Sequence, residues 1–168
     1  MAHAAAIARR ALLAVALLAC TLAEAAAPAS AVLRSPLLGA WSVDLERLPV
    51  PPEARPRSVT ITFTDAGAGK LSIRVAVVDG EGHLMQSESV APLDGTPVAA
   101  TGNLEADVVA ARMPAPGVLV MQLSLKGVPG STRVYTVSAD GQAMTEVGAN
   151  FGDDGRPRMR VNSFSRVR

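Results

Sequence analysis

Cysteine occurs once in the 168 residues, at Cys20, and histidine twice, at His3 and His83. A lone cysteine forms no intrachain disulfide, so the fold has to rest on its core. Aromatic residues make up only 3% of the chain, with one tryptophan, one tyrosine and three phenylalanines. Helical periodicity is missing after residue 35, which removes any helix for a glycine-rich phosphate loop to open. No apolar stretch reaches the roughly 20 residues that a membrane helix needs. Arg9, Arg10 and Glu24 all fall in the first 31 residues, so basic and acidic side chains are equal in number beyond them. A neutral domain has no electrostatic footprint for nucleic acid, and nucleic acid is excluded as a partner.

What is present begins with an address. "MAHAAAIARR" is basic, "ALLAVALLAC" is a short apolar core, and "AEAAAPASA" is a small-residue exit. That order reads as a secretory signal over residues 1–31, followed by a single domain over 32–168. An extracytoplasmic location, periplasmic or secreted, is the expectation. Cleavage after Ala31 is one reading. The other takes "LLAC" as a lipobox, with lipid attached to Cys20 as the first mature residue and as the chain's link to a membrane.

Beyond the signal the chain is a series of short alternating runs. Trp41, Val43 and Leu45 share one parity, and the prolines at 49, 51, 52 and 56 end that run. Further runs cover 57–64, 69–78, 84–91, 105–113, 117–126, 131–138, 142–148 and 158–166. They are parted by turn residues such as "DGEG", "LDGTP", "KGVPG" and "ADGQ". This pattern predicts an all-β fold, a small antiparallel up-and-down barrel of about eight or nine strands, with a β-sandwich as the alternative. Leu119, Met121, Leu123 and Leu125 are assigned inward, as are Val109, Ala111 and Met113. The closing arginines of "RPRMRVNSF" are assigned to the solvated face of the last strand. In runs 84–90 and 142–148 polar residues share a parity with apolar ones, which fits edge strands or polar groups pointing inward.

The order of these motifs resembles a family of small exported bacterial proteins described as lipocalin-like or calycin-like β-barrels of unknown function. Gly39 and Trp41 match its Gly-x-Trp opening. Asp94, Gly95, Thr101, Gly102, Ala106 and Asp107 match its central segment. Asp140, Gly141, Met144, Thr145, Gly155 and Pro157 match its ending. The likeness spans about residues 37–166. Leu93 and Val98 stand where the family often has tyrosines. The resemblance implies a barrel and an extracytoplasmic home, and carries no activity with it.

Catalytic machinery is sparse. His83 stands in a turn with Asp79 and Glu81, one nitrogen and two carboxylates, short of the four ligands of a closed zinc site. "NFGDDGRP" lacks the alternating oxygens of a calcium loop. No "GxSxG" elbow is present. Glu88 and Glu146 are the candidates for a facing carboxylate pair. The expectation is a protein that is not an enzyme and uses no cofactor or metal. With few rings and small inward residues such as Ala111, the interior of a closed barrel is left either filled by its own side chains or able to hold one small apolar ligand. Trp41, Phe63, Ala111, Met121 and Tyr135 are the candidate lining. The alternative is a filled barrel that meets a protein partner in the cell envelope.

Overall fold

The computed structural model of the chain describes residues 34–102 and 105–168. The predicted signal segment, its predicted cleavage site and Cys20 lie outside these residues. Ten strands form one antiparallel sheet: β1 (Gly39–Val43), β2 (Ser58–Asp65), β3 (Lys70–Val78), β4 (Leu84–Pro92) and β5 (Val98–Ala99), followed by β6 (Val108–Ala115), β7 (Val118–Leu125), β8 (Val128–Val137), β9 (Ala143–Phe151) and β10 (Pro157–Arg166). Consecutive strands pair throughout, except β4 with β5, and β1 pairs with β10. The up-and-down barrel predicted from the alternation is therefore the observed fold. All nine predicted runs are strands, and the two-residue β5 is the addition.

The β4–β5 break is the seam of the barrel. Two isolated bridges among the described residues close it. The Glu88 amide donates to the Thr101 carbonyl at 3.1 Å, and the Thr101 amide returns to Glu88 at 2.9 Å. Asp94 pairs with Arg112, the Gly95 amide donating to the Ala111 carbonyl at 2.9 Å. Gly102 follows with φ +85°, where a Cβ would fall onto the Gln86 carbonyl. Only glycine combines that backbone angle with so close an approach. The seam is thus held by local backbone contacts where a continuous ladder would otherwise run.

Turn chemistry sets the register elsewhere. Lys126 and Gly127 both take positive φ, 53° and 76°, and form a two-residue hairpin between the paired Leu125 and Val128. The predicted turn "KGVPG" is thereby shortened. Pro129 and Gly130 enter β8 instead, beside a register shift between Gln122 and Ser124. A second shift falls between Arg112 and Ala115, around Pro114. Proline has no N–H for the ladder, which suits it to such irregular places.

Inside, the barrel has two unlike ends. Leu37, Trp41, Phe63, Leu71, Leu93, Met113, Leu119 and Met144 are buried together and plug the end near the β2–β3 turn. The Trp41 indole N–H donates to the Leu37 carbonyl at 2.8 Å, pinning the lead-in segment under the plug. The Arg166 guanidinium lies 4.1 Å from the Trp41 ring centroid and donates to the carbonyls of Pro36, Leu38 and Gly141. A half-buried cation over an indole face, with each guanidinium nitrogen donating to a backbone carbonyl, closes this end.

Two expectations of parity need correction. Leu125 is 40% exposed, because β7 has left the core before its last residue. On β10 the assigned faces are reversed: Met159 and Val161 are exposed, while Arg160 and Asn162 line the interior. The buried Phe164 explains this, since side chains two and four residues before it must share its face.

Candidate functional site

Above the plug the barrel is hollow. A cavity of about 420 Å³ occupies the other end, within the range of small-molecule sites. Val59 and Ile61 from β2 and Ile73, Val75 and Val77 from β3 form one apolar wall. Val109, Met121 and Leu123 from β6 and β7 form another. These residues alternate along short, strongly β-prone strands, so their inward direction follows from period two once the plug has fixed the face. The exposed Met85, Glu105 and Arg160 stand among the lining residues and mark the mouth.

Tyr135 forms the floor. Its ring meets Phe63 at 5.8 Å and Phe164 at 6.3 Å between centroids, both edge to face. Phe164 and Tyr135 face the cavity, whereas Phe63 lies on the plug side of the ring layer. Of the five residues named from the sequence, the structure brings Met121 and Tyr135 to the cavity. Trp41, Phe63 and Ala111 are buried in the packing around it and do not line it.

A polar cluster interrupts the apolar wall on the side of β8, β9 and β10. Arg133 and Glu146 are buried, with side chains 10% and 2% exposed, and the Arg133 Nη1 lies 3.8 Å from the Glu146 Oε2. The Arg133 Nη2 binds the Glu105 carboxylate, and its Nε donates to the Ser131 hydroxyl at 3.2 Å. The other Glu146 oxygen accepts from the Asn162 Nδ2 at 3.0 Å and faces the Arg160 Nε at 3.6 Å. Gly148 leaves the space into which Arg160 folds, since a Cβ there would stand 3.2 Å from the Arg160 Nε. The Asn162 Oδ1 is buried and has no hydrogen-bond partner among the described residues. Ser87 and Ser89 present hydroxyl side chains from β4.

The irregular runs are resolved by this arrangement. In β4 the inward parity is that of Met85, Ser87, Ser89 and Ala91, which leaves Glu88 on the outer face. In β9 it is that of Met144, Glu146 and Gly148. Both strands point polar groups inward, and the facing pair of Glu88 and Glu146 is not formed. Sequence reasoning missed Glu105, Arg133, Arg160 and Asn162. Arg133 shares the parity of Tyr135, and Asn162 that of Phe164, so the signal lay in their neighbours. Both carboxylates at the cavity contact guanidinium groups and form one ion-pair network with them.

Tyr135 ionises well above the usual tyrosine range. Burial is the main cause, and the Glu146 charge adds to it against the opposing effect of Arg133. An acid raised in the folded state contributes stability that is complete below its unfolded value, about pH 10, and is lost as pH climbs from there toward the folded value. Stability should therefore fall above about pH 10 in the wild type, and Tyr135→Phe should lack that component. Urea midpoints across the alkaline range check this. Tyr135 is the sole tyrosine, so tyrosinate absorbance reads its ionisation directly.

The Asp79, Glu81 and His83 group lies on the β3–β4 turn, outside the barrel. The Asp79 Oδ1 accepts from the amides of Glu81, Gly82 and His83, and its Oδ2 faces the His83 Nδ1 at 3.1 Å. The His83 amide bond leads the causes that lower the Asp79 carboxyl below its usual range. These oxygens build the turn, an ordinary role for aspartate there.

No family model and no curated protein sequence matches the chain. Among solved structures, a point mutant of the fluorescent protein UnaG is similar at 12% identity, covering 79% of this chain and 97% of its own, with a TM-score of 0.53. Wild-type UnaG is similar at 13% identity, with coverages of 77% and 96% and a TM-score of 0.50. Zebrafish ileal bile acid-binding protein, complexed with cholic acid, is similar at 13% identity, with coverages of 79% and 100% and a TM-score of 0.48. The likeness to UnaG shows the fold, an up-and-down antiparallel β-barrel.

Proposed function

We propose that this protein is a carrier or receptor for one small, largely apolar molecule, held inside the barrel above the Tyr135 floor. The cavity carries the reading: about 420 Å³ of space walled by valine, isoleucine and leucine, with one polar cluster to orient the guest. A barrel that only scaffolded a partner would gain from filling that space, because close packing is the more stable interior. On this reading the segment 1–31 exports the carrier, which works outside the cytoplasm.

Two measurements test it. Native and denaturing mass spectrometry on protein from its own cell envelope should differ by the mass of one guest. An apolar fluorescent probe should bind the emptied protein with one site, and Met121→Trp, which fills the cavity from its wall, should weaken that binding by at least about tenfold. Equal masses together with a probe that fails to bind would sink the carrier and leave the partner-binding module.

A further inference from the structure

The polar cluster specifies the guest's polar end, given the carrier reading above. Its charges already cancel: Arg133 and Arg160 stand against Glu105 and Glu146. Every nitrogen of the Arg133 guanidinium faces an oxygen, from Ser131, Glu146 or Glu105. An incoming carboxylate would have to displace Glu105 and would then stand beside the buried Glu146 charge, where like charges repel strongly. It would also bring no hydrogen to the Asn162 Oδ1, the one buried acceptor of the described cluster that lacks a partner. Leaving such an atom unpaired under a bound ligand is costly, whereas a hydroxyl or amide N–H satisfies it.

We infer that the cavity takes a neutral amphiphile whose polar end donates a hydrogen bond, an alcohol or amide in preference to a carboxylate. Asn162 is the specificity-determining acceptor. Glu105 acts through Arg133: its carboxylate occupies the place an anionic head would take.

The test compares 1-decanol with decanoate, equal in chain length, by probe displacement at about pH 8, where a free carboxyl is ionised. Decanol should bind at least about tenfold more tightly. Glu105→Gln removes the charge that guards Arg133 from a side chain 54% exposed, so the barrel tolerates it, and decanoate should gain on decanol in that variant. Asn162→Leu should erode the decanol advantage from the other side. Decanoate binding as well as decanol, or better, in the wild type overturns the neutral-head assignment and leaves the carrier standing. Failure of both molecules to displace a bound probe also overturns the assignment and leaves the carrier standing, whereas failure of the probe itself to bind removes the two together.

Discussion

Glu146→Leu should unfold the protein at much lower denaturant, with a loss of about 3–5 kcal/mol. The leucine itself suits the wall. The loss comes from Arg133, which is buried and keeps Glu105 at the mouth and the Ser131 hydroxyl but loses its buried counter-charge, and from the Asn162 amide, which loses its acceptor. Arg160 suffers less, because its side chain is 41% exposed and reaches water. The cost is therefore that of stranding a partner, so removing both buried charges should cost far less. In Arg133→Met combined with Glu146→Leu, urea unfolding should return most of the stability, since apolar replacement of a buried pair is often neutral or better. The same double variant should keep apolar probe binding, because the apolar wall is untouched.

Trp41→Ala is the second large effect, about 3–5 kcal/mol, from a cavity in the plug too enclosed to collapse. It also strands the Leu37 carbonyl and removes the surface on which Arg166 rests. Because Arg166 ties Pro36, Leu38 and Gly141 to the last strand, loosening should spread to the β1–β10 closure. Hydrogen exchange at the Val167 amide, bonded to the Ala40 carbonyl, reads that closure. Trp41→Phe keeps most of the volume but gives up part of the ring with the N–H and leaves the Leu37 carbonyl without that donor, so about 1–3 kcal/mol is expected there. Probe affinity should be unchanged in Trp41→Phe, because Trp41 lies outside the cavity lining. A large affinity change would mean that plug and cup are coupled.

The two variants divide the molecule as the structure does, into a plugged end that carries stability alone and a hollow end whose polar cluster carries both stability and selectivity. That division bears on Phe63 and Tyr135, which meet edge to face across the boundary. Tyr135 serves both ends, with its ring in the packing and its hydroxyl beside Glu146. A substitution there should move stability and binding together.

Alternation along the chain by itself determined the strands, the antiparallel meander and the pairs of residues that share a face. These are properties of a period of two and of turns such as Lys126–Gly127, which need only near neighbours. Which face points inward is a different question, because a run with polar and apolar residues on both sides fits either way. On β10 only the burial of Phe164 among distant strands turned Arg160 and Asn162 toward the cavity, leaving Met159 and Val161 outside. Arg133, Glu146, Asn162 and Glu105 come from four different segments of the chain. No local pattern records them, and only closing the barrel brought them together.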